Sequence, residues 1–184
     1  YKDNTINQSK MYKPGYEMTP NDTEIYAHFG NKEQLYVTVL TMVYNRMAEA
    51  EEILLESELP VTDMVRRIIA MYFDFLAATP TFVRMLMWEN LNHAKYIRAS
   101  GAALSKGRSL KMLSDTLTLG IRQGIFRTDL DIESALLSIN MICFSYFSNI
   151  HTMSHLLQRD LTAADAAAQY ADYVSTMVLE YLLC

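Results

Sequence analysis

Hydrophobic residues recur every three or four positions along most of this sequence, which is the spacing of one face of an α-helix. The clearest case runs from Asn31 to about Glu56, where one face carries Tyr36, Leu40, Val43, Met47, Ala50 and Leu54. No run of alternating apolar and polar residues stands between turn signals, so strands are not expected. The pattern predicts an all-α chain.

Capping and breaking residues predict where the helices begin and end. A short helix starting at Asn21 is expected to end at Phe29-Gly30, and Asn31 to cap the long helix that follows. Further helices are expected over residues 61–78, 81–93, 103–123, 131–150 and 162–183, with a turn at residues 96–101 and a short helical piece between the last two helices. Their start and stop signals are Thr79-Pro80, Gly124, Asp131 and Thr162.

Composition and charge change this picture in two ways. The chain has 12 Met and 12 Tyr among 184 residues, and such side chains can line an adaptable pocket or simply fill a core. The net charge of −5 argues against nonspecific nucleic-acid binding by the whole chain, and residues 1–32 are formally neutral. A small local DNA-binding surface stays possible. The acidic pairs Glu51-Glu52 and Glu56-Glu58 are interpreted as a solvated face.

The cysteines and histidines give no sign of a metal or cofactor site. Cys143 and Cys184 do not form a disulfide or metal-binding pattern, which favours a reducing cytoplasm. His151 and His155 are four residues apart, but no further ligand lies near them on that helix face. We therefore expect neither a metal nor a cofactor.

The sequence also gives no catalytic or membrane-spanning signature. No nucleophile, acid–base pair or phosphate loop has a recognisable spacing, so an enzyme is not expected. A small helical enzyme with its site at Trp88, Glu89 and His93 is the rival interpretation. The longest uncharged run, residues 134–150, is too short and too polar for a membrane span, so no membrane partner is expected.

Residues 25–36, Ile-Tyr-Ala-His-Phe-Gly-Asn-Lys-Glu-Gln-Leu-Tyr, resemble the end of the helix-turn-helix of the TetR family of transcriptional regulators. That pattern is a recognition helix ending in Tyr-x-His-Phe, then Gly-x-Lys-Glu-x-Leu at the start of a long connecting helix. Residues 124–131 resemble the family's turn before its two dimerising helices. Residues 80–91 and 144–149 are similar to a subgroup that senses small heterocycles, the pyrimidine-utilisation and nicotinate-degradation repressors.

The resemblance implies a cytoplasmic homodimeric repressor that binds double-stranded operator DNA and is released by a small-molecule effector. It implies a helix-turn-helix head in residues 1–36 and a helical-bundle ligand-binding and dimerisation domain in residues 37–184. The residues expected to contact DNA are Thr23, Tyr26, His28 and Lys32. A ligand would tilt the connecting helix and so change the spacing of the two heads.

The ligand pocket is expected among aromatic and Met side chains of the regulatory domain, with two asparagines as polar anchors. Its predicted residues are Phe75, Met85, Trp88, Asn92, Phe144, Phe147 and Asn149. The last two long helices carry more apolar positions than one side of a monomer core needs, which favours a dimer interface over burial within a monomer. These positions are Leu137, Met141, Phe144, Ala167, Tyr170, Val174, Met177 and Leu179.

The head is incomplete in this sequence, because the 31 residues before Lys32 do not form the two further helices that the family's head needs. We expect the natural protein to carry residues that are missing here, and an intact mass well above 21.1 kDa would support this. A helical dimerisation or adaptor module without DNA binding is the alternative interpretation.

Overall fold

The computed structural model describes residues 28–55, 59–99 and 108–183. Within these ranges the all-α prediction is confirmed, and the β-pairing seen there is one isolated bridge between Phe126 and Leu183. The described helices are α1 (Lys32–Leu55), α2 (Val61–Ala78), α3 (Pro80–Leu91), α4 (Lys95–Ala99), α5 (Arg108–Arg122), α6 (Ile132–Ser148), α7 (Ile150–Leu157) and α8 (Ala166–Leu182). The chain divides into two compact units, Tyr1–Tyr36 and Val37–Cys184.

Helix α2 is the central helix of the second unit. It packs against α3, α5, α6 and α8. Its apolar residues recur at three- and four-residue steps, so Val65, Ile68 and Ile69 are fully buried and Phe73 is nearly so. This explains why the predicted range 61–78 agrees with the observed helix: one amphipathic period runs unbroken between Pro60 and Pro80.

Two of the predicted capping residues hold helix ends as expected. The Asn31 side-chain oxygen accepts a hydrogen bond from the Gln34 backbone N–H at 2.9 Å, which caps α1. Asp131 caps α6, because its carboxylate accepts bonds from the Ser134 backbone N–H at 3.4 Å and the Ser134 hydroxyl at 2.7 Å. These bonds hold the pKa of Asp131 below its usual value.

Asp131→Ala is expected to lower the melting temperature by about 2–4 °C at fixed protein concentration, because α6 loses a cap. Asp131→Asn keeps an acceptor and should retain most of the stability. The folded-state pKa is depressed, so the carboxylate stabilises the fold above its unfolded pKa of about 3.8 and stops doing so as the pH falls through the lower folded-state value. Thermal unfolding from pH 7 to pH 3 measures this. An equal loss at every pH would contradict the charged cap.

The turn after α5 is built around a glycine inside that helix. Phe126 is fully buried, and a Cβ placed on Gly120 would overlap the carbons of its ring. The Gly120 carbonyl accepts hydrogen bonds from the backbone N–H groups of Ile125 and Phe126, at 3.0 and 3.1 Å. Gly124 has a φ of +69°, as expected of a residue that ends a helix in the left-handed conformation.

The turn predicted at residues 96–101 is wrong in position. Lys95–Ala99 is helical, and the chain breaks earlier, where His93 and Ala94 have φ of +54° and +56°. The Glu89 carbonyl accepts the Ala94 N–H at 2.7 Å and so closes this turn. The turn uses neither glycine nor proline, which is why turn residues did not locate it.

The predicted cap at Thr162 is also wrong, because α8 begins at Ala166. The Thr162 hydroxyl donates to the Asp160 carboxylate at 2.6 Å, and the Thr162 backbone N–H bonds the same oxygen at 2.9 Å. This local turn occupies the groups that would have capped a helix. The helix expected over residues 131–150 is α6, which ends at Ser148, and the short helical piece expected after it is α7.

No single helix among the described residues is long and apolar enough to cross a membrane. Helices α2 and α3 meet the length and composition criterion only as a pair, and that pair is bent by 92°.

Candidate functional site

The turn before α1 is the described part of the predicted DNA-binding segment. Phe29 is half-buried, and the His28 ring meets its edge with centroids 4.9 Å apart. Gly30 has a φ of +80°, which favours glycine, and the Asn31 N–H bonds the Phe29 carbonyl at 3.0 Å. Lys32 is exposed at the first residue of α1. The turn therefore places a positive charge beside the N-terminus of a capped helix.

Of the four predicted DNA-contacting residues, the structure describes two. His28 and Lys32 are both exposed, so each is accessible to a partner. Thr23 and Tyr26 lie outside the described residues. The DNA-binding role of all four stays a prediction.

The second unit contains a cavity of about 400 Å³, here called the central pocket. Its size falls within the roughly 300–1,000 Å³ usual for small-molecule sites. Helices α1, α2, α3, α5 and α6 all contribute to its walls. The lining residues are Tyr44, Met47, Glu51, Tyr72, Leu76, Phe82, Leu86, Asn90, Leu110, Asn140, Met141, Cys143 and Phe144. A mainly apolar wall with a few polar groups suits a small organic ligand.

Aromatic contacts fix the orientation of α3 beside the central pocket. The Phe82 ring packs edge-on against Tyr44 of α1 and Phe75 of α2, with centroid distances of 5.2 and 5.4 Å. This turns Leu86 and Asn90, one and two helical turns later, toward the pocket. It leaves Trp88 43% exposed.

Two acidic side chains are buried at or beside the central pocket. Glu51 is a lining residue with only 2% of its surface exposed. Glu89 is 1% exposed, and one of its oxygens, Oε2, accepts the Ile97 backbone N–H at 3.1 Å. Its other oxygen, Oε1, has no hydrogen-bond partner among the described residues. Burial, and secondarily the charge of Glu89, raises the pKa of Tyr44.

The predicted ligand residues do not meet at one place. Phe144 lines the central pocket, whereas Phe75 packs edge-on against Phe82 and Met85 is buried without lining the pocket. The Asn92 amide donates to the Trp88 carbonyl at 2.8 Å at the end of α3. The seven-residue ligand site stays a prediction, with Phe144 as its member at the central pocket.

Phe147 and Asn149 lie at other cavities. Phe147 lines a second pocket of about 450 Å³ that also includes Arg84 and His151. Asn149 lines a third, and its amide donates to the Ser145 carbonyl at 3.1 Å. Its amide thus helps to end α6.

Sequence reasoning missed the polar residues of the central pocket, namely Tyr44, Glu51, Asn90 and Asn140. The interpretation of Glu51 as part of a solvated face is wrong. A signal for it was present, because Glu51 lies four residues after Met47 and eleven after Leu40, on the buried stripe of α1. An acidic residue on an apolar stripe often marks a function.

An exposed apolar face covers α6 and α8, which pack side by side. It consists of Leu137, Met141, Tyr173, Met177 and Tyr181, each exposed by 37% or more and spaced four residues apart along its own helix. Of the predicted interface residues, Leu137, Met141 and Met177 belong to this face, whereas Val174 and Leu179 lie in the core of the chain itself. Large apolar side chains exposed at a regular spacing on two neighbouring helices are a feature of interaction surfaces.

The chain is similar to known regulators along most of its length. A family described as Tetracyclin repressor-like, C-terminal domain, matches residues 60–178. The HTH-type transcriptional repressor NicS of Pseudomonas putida is 34% identical over 164 residues, which are 88% of this chain and 77% of NicS.

Solved structures share the fold at lower identity. The TetR family transcriptional regulator PfmR from Thermus thermophilus aligns with a TM-score of 0.65 at 20% identity, over 86% of this chain and 81% of PfmR. The transcriptional regulator FadR from Bacillus subtilis, in complex with stearoyl-CoA, aligns with a TM-score of 0.61 at 20% identity. That alignment covers 88% of this chain and 82% of FadR. These likenesses establish the arrangement of the helices.

Proposed function

The chain belongs to the TetR family of transcriptional regulators, and we propose that it is a homodimeric repressor that leaves its operator when a small molecule fills the central pocket. Regulators of this family are not enzymes, so the rival enzyme site at Trp88, Glu89 and His93 is set aside. The observation that carries the proposal is the central pocket itself, whose size and mainly apolar walls suit an effector. We place the protein in the cytoplasm, where its operator would be.

Helix α1 is the element that would couple ligand to DNA. It contributes Tyr44, Met47 and Glu51 to the central pocket and begins at Lys32, next to the predicted DNA-contacting segment. A ligand that favours one tilt of α1 would set the spacing of the two heads, which must match half-sites about 34–36 Å apart or a multiple of that distance. The ligand shifts this equilibrium only by its difference in affinity for the two tilts.

Lys32 is the described residue that we expect to hold a phosphate. Its positive charge sits at the N-terminus of α1, where the helix dipole already favours an anion. Without a bound anion, a lysine there is slightly unfavourable for the helix. A DNA phosphate would pair with the Lys32 ammonium group close to the positive end of the helix dipole.

Lys32→Ala is expected to weaken binding to every operator sequence and to flatten the dependence of log affinity on log salt by about one unit per head. Lys111→Ala removes another exposed lysine, paired with Asp115, and should leave the slope unchanged. Gel-shift titrations of the full natural gene product at several salt concentrations measure both. A changed base preference with an unchanged slope would contradict the phosphate role.

The same titrations test the function as a whole. We expect the natural protein to shift its operator fragment and at least one small catabolite to abolish the shift. Failure to bind any upstream DNA of its own gene region would reject the repressor and favour the adaptor module.

The exposed apolar face is the surface that we assign to the second copy of the chain. In the TetR family, the two helices that correspond to α6 and α8 pair across the dimer. We therefore expect the α6 and α8 of a second copy to cover this face. Stable dimers of this kind commonly bury more than about 2,000 Å² in total. The five large side chains of this face, which lie on α6 and α8, can supply the apolar centre of such an interface.

A further inference from the structure

We propose that the second pocket is a binding site for small amphipathic carboxylates, separate from the effector site in the central pocket. The second pocket lies between the end of α2, the start of α3, the junction of α6 and α7, and the start of α8. Its ligand carries a carboxylate on an aliphatic body of about the size of octanoate. This assignment goes beyond the proposed function, which requires only the central pocket.

The second pocket is large enough for such a ligand and is distinct from the central pocket. Its volume of about 450 Å³ falls within the roughly 300–1,000 Å³ usual for small-molecule sites. Leu76 is the one described residue that lines both cavities, and it is 5% exposed. A ligand can therefore occupy the second pocket while the central pocket is empty.

The walls of the second pocket are mainly aliphatic. Of the 15 described residues that line it, 11 are apolar, and Phe147 is the aromatic one among them. Ala163, Ala164 and Ala167 contribute short side chains from a single segment. An alkyl chain that enters this space gains free energy in proportion to the apolar area that it removes from water.

Hydrogen bonds hold the wall that precedes α8. The Leu161 backbone N–H donates to the Ser154 hydroxyl at 3.1 Å, and the Tyr146 hydroxyl donates to the Leu161 carbonyl at 2.8 Å. The next residue, Thr162, donates its backbone N–H to Asp160 at 2.9 Å. The wall is therefore formed without a ligand, which lowers the cost of ordering it when a ligand binds.

The two hydroxyl groups that line the second pocket already use their protons. The Ser148 hydroxyl donates to the Ser145 carbonyl at 3.4 Å and accepts the Asn149 amide at 3.0 Å. The Thr162 hydroxyl donates to the Asp160 carboxylate at 2.6 Å. Each hydroxyl keeps some acceptor capacity but carries no charge, so the charged side chains decide the sign of the ligand.

Arg84 and His151 supply the hydrogen-bond donors of the second pocket. Neither side chain makes a hydrogen bond or an ion pair with another residue in the part of the chain that the structure describes. The guanidinium group of Arg84 is always charged, and its planar N–H groups match the two oxygens of a carboxylate. The His151 ring has at least one N–H to donate in either charge state. None of the described residues that line the central pocket is basic.

No acidic residue is among the described residues that line the second pocket. Two acids of the adjoining turn have partners, because Asp160 accepts the bonds from Thr162 and Asp165 accepts the Gln169 amide at 2.6 Å. Asp74 of α2 is exposed and does not line the pocket. Helices both begin and end at this pocket, so the helix dipoles favour neither sign. The basic side chains therefore make the pocket electropositive.

The test uses three probes with one alkyl chain and three polar ends: octanoate, octanamide and octylamine. Isothermal titration calorimetry at pH 7.5 and low salt measures their affinities for the full natural protein. We expect octanoate to bind about fivefold more tightly than octanamide, because a charge-assisted pair with an exposed arginine contributes modestly. Octylamine, which is a cation at this pH, should bind most weakly. Any other order, equal affinities, or no binding by any probe would overturn the inference.

A charge variant then tests the role of the arginine. Arg84→Gln should weaken octanoate binding by about fivefold and change octanamide binding by less than about twofold. Arg66→Gln is the matched control, because Arg66 is an exposed arginine of α2 that does not line the pocket. An unchanged octanoate affinity in Arg84→Gln, or an equal loss in both variants, would overturn the assignment.

A pair of filling variants tests the location. Ala164 and Leu110 are exposed residues that line the second and the central pocket, respectively. Ala164→Trp should weaken octanoate binding by at least about tenfold, whereas Leu110→Trp should leave it unchanged, with helical circular dichroism retained in both. The reverse pattern would place octanoate in the central pocket and overturn the inference. Because direct binding is measured rather than release of DNA, a failure of the repressor proposal would not affect these outcomes.

Discussion

Leu137→Glu is expected to convert the dimer into monomers and to reduce operator affinity by about 100-fold or more. Leu137 is 59% exposed on α6, within the apolar face assigned to the second copy. Two-fold symmetry introduces the charge twice, so each glutamate would be buried without a partner. A monomer has one head, and it loses the gain of about 10²–10⁴ that comes from binding two half-sites together.

Light scattering and gel shifts on the same preparations measure this effect. Leu119→Glu is the matched control, because Leu119 is a 47% exposed leucine on α5, outside the apolar face. It should stay dimeric and bind DNA normally. Both variants should keep the helical circular dichroism of the unchanged protein. A Leu137→Glu protein that remains dimeric would reject α6 as part of the interface.

Phe126→Ala is expected to lower the free energy of unfolding by about 3–5 kcal/mol, the usual cost of removing a buried phenylalanine ring. Phe126 is fully buried, and its ring lies against Gly120. Gly120→Ala should also destabilise, by about 1–3 kcal/mol, because the added methyl group overlaps that ring. At a solvent-exposed helix position, Gly→Ala would instead stabilise the protein by about 1 kcal/mol. A loss of stability therefore indicates overlap with the Phe126 ring.

The double variant separates steric overlap from other effects. With the ring removed, Gly120→Ala has nothing to overlap, so the double variant should be no less stable than Phe126→Ala alone. Urea unfolding at one fixed protein concentration measures all three variants, because dimer stability depends on concentration. Simple addition of the two losses would mean that Gly120 and Phe126 act independently.

Helix ends were predictable where the capping partner lies within the next turn. Asn31 and Asp131 bond residues three positions later, so a short sequence window contains the whole interaction. Threonine is also a good capping residue, but the Thr162 hydroxyl donates its hydrogen bond to the Asp160 carboxylate instead of capping a helix. The break at His93 and Ala94 depends on hydrogen bonds to the Glu89 backbone carbonyl. Every residue type has such a carbonyl, so the sequence could not predict this break.

The pocket was less predictable because its lining depends on how α3 is rotated. Phe82, Met85 and Trp88 are similar apolar residues within seven positions, and the sequence does not say which faces a cavity. The contacts of Phe82 with Tyr44 and Phe75 decide this, and those partners lie on other helices. Periodicity alone could have identified Glu51, whereas Asn140 required knowledge of how α6 packs.

Cys143 gives the pocket a further property, which concerns reactivity. Its side chain is buried on the pocket wall, and burial raises the pKa of its thiol to about 12. At neutral pH the thiol therefore stays protonated, whereas the thiolate is the form that attacks peroxides and electrophiles. Burial and the raised pKa therefore disfavour reaction of the Cys143 sulfur with oxidants and electrophiles.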